Sequence, residues 1–228
     1  LKAVDEGASI PATTIQVQAN LVKLRKRGRM LVASYEAVRY QKLDLFSVTL
    51  RQIGSHIAQM LLADGVDVLI NGDGNNNAAD VFTTTASDTL TYDDLVELEH
   101  SLDPAYREGG RCSFMFADTT LKAIKKLKDG QGRPLWLPGI DVKEPASILG
   151  YRYVINQSVP AMAATAKSVL FGDFSKYVIR DAMGITMYRF ADSAFAQKGQ
   201  VGFLAFMRSG GVLTDAQAVK FFQHGAAA

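Results

Sequence analysis

The sequence has little of what usually carries chemistry. A single cysteine, Cys112, stands among 228 residues, so no internal disulfide can form, and a reducing compartment is the default reading. The three histidines, His56, His100 and His224, are scattered and have no Cys, Asp or Glu at ligand spacing, so no metal site is expected. No Gly-x-Ser-x-Gly occurs, which removes the strand-turn-helix serine elbow. Cys112 lies in an apolar stretch where a thiol is normally inert. Asp93 and Glu97 could share a helix face, but nothing basic or apolar beside them would shift a pKa, so they read as a solvated surface. No catalytic residue, cofactor or metal is therefore expected. Unbroken apolar runs are also missing. Even Val66 to Ile70 is interrupted by Asp67, far short of the ~20 residues of a membrane span, so the expectation is a soluble chain with no membrane partner.

What is present is a composition that folds. At 48% hydrophobic and 21% charged residues, the chain can build a real core, in one large domain or two small ones. The net charge of +2 conceals a division. Residues 1–42 carry eight basic and three acidic residues, 43–110 carry two and twelve, and 111–228 carry fifteen and eight. An acidic middle between basic flanks reads either as solvated faces of both signs or as complementary patches that steer copies together.

Thr13 to Leu24 roughly alternates apolar and polar residues, which predicts a strand with one wet face. It runs into Lys23-Leu24-Arg25-Lys26-Arg27-Gly28-Arg29, five positive charges in seven residues with no aromatic for base stacking. Over 43–71, Phe46, Leu50, Ile53, Ile57, Met60, Leu61 and Val68 recur mostly at three- and four-residue steps and predict one long helix. Asp44 is its candidate cap and Asn71-Gly72 its stop; Gly54 and Gly65 inside it suggest close packing or a bend. At 1.5 Å per residue the rod is about 40 Å long, more than a compact domain of this size needs. The turn-rich Asn71 to Asn77 is no calcium loop, because Ala78 and Thr84 stand where Gly and Glu are required, and no phosphate loop, because a helix precedes it. Downstream, Thr91 caps a helix through Leu95, Leu98 and Leu102 that Pro104 ends. Cys112 to Ala117 is a buried strand, and Asp118 caps a helix to Leu127. Strands follow at 148–155, with Tyr151 and Tyr153 on one face, at 169–171, 176–179, 185–190 and 202–208, and then a terminal segment over 216–222.

Four stretches in one order add a family resemblance. They are Glu6-Gly7-Ala8 before the alternating strand; Leu31 to Glu36 leading to the long helix that closes on Asn71-Gly72-Asp73-Gly74; Leu127 to Arg133; and Leu149-Gly150 with Gly172-Asp173-Phe174. In this order the chain resembles the major capsid protein of tailed bacteriophages, with the Hong Kong ninety-seven type of fold. The resemblance implies an α+β subunit with an extended loop, a peripheral domain built on a long spine helix, and an axial domain. It assigns 1–28 to the returning half of the loop, 29–86 to the peripheral domain, 87–184 to the axial domain, and 185–224 to strands returning to the peripheral domain. On this layout the chain starts midway through the extended loop, with an arm and an outgoing strand before Leu1.

The implied function is self-assembly in the host bacterial cytoplasm. Pentamers and hexamers would close an icosahedral virion shell around double-stranded DNA, with portal, scaffold, protease or decoration proteins as possible partners. The alternatives are an encapsulin-type compartment and a soluble α/β enzyme or nucleic-acid-binding domain. Some members of the family weld subunits through a Lys to Asn bond promoted by a Glu. Lys2 could serve, but Gln197 to Gln200 supplies neither partner, so monomers without crosslinks are expected. Glu6, Lys23, Arg25, Lys26, Arg27 and Arg29 are the candidate subunit-contact or DNA-facing residues, with a neighbour's acidic surface favoured over phosphates.

Overall fold

A computed structural model describes residues 21–40, 45–72, 78–84, 89–133, 135 and 147–226. Glu6, Lys2, Asp44, most of the alternating stretch over 13–20 and the turn residues 73–77 lie outside the described residues. Strands β1 (Arg25–Ser34), β7 (Tyr177–Phe190) and β8 (Gln200–Leu213) form a three-stranded antiparallel sheet in the order β1-β8-β7. Strands β2 (Asp80–Thr83), β3 (Ser113–Phe116), β4 (Ser147–Ile148), β5 (Tyr151–Ile155), β6 (Lys167–Gly172) and β9 (Val219–Gln223) form a second, six-stranded sheet. Its order is β2-β9-β6-β3-β5-β4, and it is mixed, with β2 parallel to β9 and β3 parallel to β5.

The centre of the six-stranded sheet, β3, β6 and β9, is covered on both faces, while Val154 and Ile155 of β5 and Val81 of β2 are exposed. Phe114, Phe116, Phe171 and Phe222 point to one side, where Leu95 and Leu98 of α3 (Tyr92–Ser101), Leu102 just beyond it, and Leu121 and Ile124 of α5 (Asp118–Lys125) close the core. Leu170, Val219 and Phe221 point to the other side, against Val66, Leu69 and Ile70 of α2 (Leu45–Asn71). A strand buried on both faces reads as a continuous apolar run, as Val169-Leu170-Phe171 does. Between β4 and β5 the turn needs left-handed backbone at two successive residues, Leu149 (φ 52°) and Gly150 (φ 83°), the pattern of a tight hairpin connection. Helix α3 opens on Thr91 with a reciprocal capping box to Asp94.

Helix α2 bridges the two sheets. Its first turns set Ile53 and Ile57 against Ala205 and Met207 of β8, and its last turns belong to the core of the six-stranded sheet. Lys167 donates to the Ile70 carbonyl at 2.9 Å, satisfying one of the helix's last acceptors, and burial holds its pKa below the usual lysine range.

Several expectations need correction. The strand foreseen over 13–24 is absent from residues 21–24; the described strand begins at Arg25, within the basic run, because its register is set by ten pairs to β8. The separate strands at 176–179 and 185–190 are one strand, β7, in which register shifts between Asp181 and Thr186 blur the alternation. Asp118 is the first helical residue of α5 and not its cap, which is Ala117. Pro104 does not end α3; it opens the short helix α4 (Pro104–Arg107), where its missing N–H costs nothing. Gly54 faces open space. Leu50 and Met60 are exposed although the periodicity groups them with Ile53 and Ile57. From Leu50 to Asn71, α2 is also long and apolar enough by composition to cross a membrane, which a search for unbroken runs misses.

The sheets do not follow the sequence ranges either. Strand β2 from 29–86 and β9 from 185–224 join strands of 87–184 in one sheet, while β7 spans the boundary at 184.

Candidate functional site

The basic run enters β1, and strand geometry divides its charges between two faces. Residues at odd numbers face α2. Arg27 pairs with Asp64 of α2, and Arg25 stands 3.9 Å from both Asp64 and Asp67. Residues at even numbers face away, and Lys26 sits over the Phe206 ring at 4.3 Å. Arg29, opposite Ala205, is exposed. The structure therefore brings Arg25 and Arg27 together with two acids of the same chain. The acids were not singled out from the sequence. Their three-residue spacing on one helix was legible, but that the helix lies across β1 was not.

A close crossing fixes the start of this strand. A β-carbon at Gly210 would collide with the Lys23 carbonyl, and one at Gly211 with the Tyr177 hydroxyl. The glycine pair thus lets residues 22–23 and the Tyr177 ring lie directly on β8. Burial first, and then the Asp64 carboxylate, push the Tyr177 phenol above its ordinary pKa.

Beside this crossing runs an open apolar groove of about 450 Å³, lined by Ala58, Leu62, Leu69, Met115, Tyr177 and Ile179 among others. Ala58, Leu62, Gly65 and Leu69 form its α2 wall at steps of four, three and four residues. A smaller hollow of about 70 Å³ adjoins it through Leu61, Tyr177 and Ile179 and carries Lys23, Arg25 and Asp64. On the opposite side of the three-stranded sheet, the Tyr188 ring stacks on Phe206 at 5.8 Å and on Phe190 at 6.3 Å. Met30, Val32 and Tyr188 are exposed there.

Several polar groups around the other sheet are tied into structure. Glu99 accepts from Arg107 at 3.4 Å and from the Tyr151 hydroxyl at 3.3 Å. The Tyr106 hydroxyl donates to Asp215 at 2.7 Å, and this contact raises its pKa first of all. Cys112 is buried, donates to the Tyr106 carbonyl, and is pushed up in pKa by burial, the opposite of an activated thiol. Buried His224 meets Ser168 Oγ at 2.7 Å and the Phe222 ring edge-on at 5.0 Å. Among the described residues, no group of three or more His, Cys, Asp or Glu is placed to hold a metal ion. The features that stand out are surfaces: a clamped strand, an apolar groove and an aromatic sheet face.

A sequence model described as the phage capsid family matches residues 1–224. No curated protein matches. Among solved structures, the capsid of a native GTA particle computed with C5 symmetry is similar at a TM-score of 0.82 and 26% identity, covering 98% of this chain and 80% of that one. The capsid of an empty GTA particle computed with C5 symmetry gives 0.77 at 25% identity, covering 96% and 81%. A structure from Gordonia phage Cozz gives 0.65 at 17% identity, covering 96% and 80%, a likeness of fold alone.

Proposed function

As the chain belongs to the phage capsid family and is a major capsid protein, we propose how its parts share the work of building a shell. The three-stranded sheet with the first half of α2 is the peripheral domain, and the six-stranded sheet with α3 and α5 is the axial domain. Helix α2, packed against both, is the spine that holds them at a set angle. The shell is icosahedral, assembles in the host cytoplasm and encloses double-stranded DNA without reading its sequence. The chain's role is structural, and neither the encapsulin-type compartment nor the soluble enzyme is favoured by its matches. Portal, scaffold, protease or decoration proteins are its candidate helpers.

The observation that carries this reading is the family match over residues 1–224. The expressed chain at high concentration should form closed particles of uniform diameter under negative-stain electron microscopy. A species that remains a monomer in light scattering would overturn the reading. Boiled particles should run at monomer mass in denaturing gels, since 197–200 supplies no partner for Lys2.

Within the basic run, we assign Arg25 and Arg27 to the subunit's own α2, and Lys26 and Arg29 to a neighbour's acidic surface. The double variant Lys26→Glu, Arg29→Glu should abolish empty shells. Normal empty shells that fill poorly would transfer those two residues to DNA.

A further inference from the structure

We propose that Asn71, at the end of α2, is a site of slow covalent modification by water: its side-chain amide is converted to aspartate and isoaspartate when the last turn of the helix opens. The site is a property of the subunit and goes beyond the shell reading. Asn71-Gly72 is the one Asn-Gly pair among the six asparagines. Glycine carries no β-carbon to shield its nitrogen, so the Gly72 nitrogen can reach Asn71 Cγ and close a succinimide ring. The N–Cγ bond forms, the Cγ–Nδ2 bond breaks, and the amide leaves as ammonia, taking up the proton that the Gly72 nitrogen gives up. Water then adds across one of the two imide carbonyls. Opening at Cγ leaves aspartate; opening at the main-chain carbonyl leaves isoaspartate, whose backbone runs through the β-carbon. Water is the only co-reactant, and nothing is oxidised or reduced.

The fold opens this site to water and at the same time restrains it. Asn71 is exposed, but its Nδ2 donates to Asp67 Oδ1 at 2.8 Å, one turn back, which draws the amide away from the nitrogen that must attack it. Gly72 has the left-handed backbone of a helix stop (φ 75°), and its N–H donates to the Val68 carbonyl at 2.8 Å. That bond turns the nucleophile back along the helix. The same turn is fastened from outside by the Ala79 N–H on the Leu69 carbonyl at 2.8 Å and by Lys167 on the Ile70 carbonyl at 2.9 Å. Ring closure therefore waits for the last turn to open, and the rate of conversion follows that opening. The product reinforces it. A carboxylate at residue 71 stands four residues from Asp67, at the negative end of the helix dipole. It is created where Leu69 and Ile70 anchor α2 on the six-stranded sheet.

Peptide mapping by mass spectrometry tests this on the full chain kept folded in warm, mildly alkaline buffer. The peptide carrying residue 71 should gain one mass unit, with isoaspartate in part of the product. The guanidinium-unfolded chain supplies the unrestrained rate, and the folded chain should convert about tenfold more slowly or slower still. Asp67→Ala, which releases the amide, should raise the folded rate about three- to tenfold. Lys167→Met, which unfastens the Ile70 carbonyl, should raise it as well and gives the same reading should the first variant fail to fold. Equal rates in the folded and unfolded chains would overturn the inference, as would folded variants that convert no faster than the parent. No product at residue 71 of the folded chain after roughly a hundred unfolded-chain half-lives would overturn the site itself.

Discussion

The two sheets differ in how much of their burial they achieve alone. Around the six-stranded sheet, Phe114, Phe116, Phe171 and Phe222 are fully enclosed, with helices on one face and the end of α2 on the other. The three-stranded sheet has one covered face, held by the small cluster of Ile53, Ile57, Ala205 and Met207. Its other face and both outer strands are largely exposed, with Met30, Val32, Tyr188 and Ile185 in the open. One region closes its central core within the subunit, although Val81, Val154 and Ile155 at its outer strands stay exposed. The other is half of a structure, and its incompleteness is what an assembling protein requires, because a surface saturated at home has nothing left to offer a neighbour.

That contrast can be broken by mutation. Phe171 sits 4.5 Å from the Phe114 ring and 5.0 Å from Tyr151, so Phe171→Ala should lower stability by about 3–5 kcal/mol, measured by denaturant unfolding of dissociated subunits. Unchanged unfolding would mean that the six-stranded core is not closed within the subunit. Ile57→Ala empties a smaller cluster that can collapse more readily, so about 2 kcal/mol is expected. Its effect should also be local: hydrogen exchange should accelerate in β1 and β8 while β3 and β6 stay protected, and equal acceleration everywhere would show that both sheets unfold as one unit.

Removing the hydroxyl of the capping box with Thr91→Ala should cost about 1 kcal/mol of the stability of the region around the six-stranded sheet, seen as a lowered thermal midpoint. The smallest effect concerns pH. Asp80 of edge strand β2 is held below the usual carboxylate range, first by the hydrogen bond from Lys220 of β9 and also by the Val81 N–H, against the opposing effect of burial. A lowered folded pKa contributes stability that is complete above the unfolded value of about 3.9, and this is lost as pH falls through the folded value. Exchange protection of β2 should therefore drop below about pH 4, and Asp80→Asn should flatten that dependence.

How much was legible in the sequence depends on the range of the interactions that decide each feature. The long helix, the capping box at Thr91 and the buried strand around Phe114 are set by local spacing, and all three are present. Strand β7 was read as two pieces because its pairing with β8 absorbs bulges that spoil alternation. The candidate charges were visible as a run, but only the fold sets Arg25 and Arg27 against acids of α2, turns Lys26 onto the Phe206 ring and leaves Arg29 exposed. Nothing in residues 23–29 reveals that Asp64 and Asp67 lie within reach.

The sequence by itself determined the periodic elements, the scarcity of titratable chemistry and, through motif order, the family, since each of these is written in spacing along the chain. Only the tertiary structure decided that β9 and β2 close the sheet built by β3 and β6, that Arg25 and Arg27 serve the subunit's own helix, and that Leu62 and Ile179 share one groove. Those outcomes depend on contacts between residues tens to more than a hundred positions apart. Such contacts are selected by how whole faces pack, and local pattern carries no record of that choice.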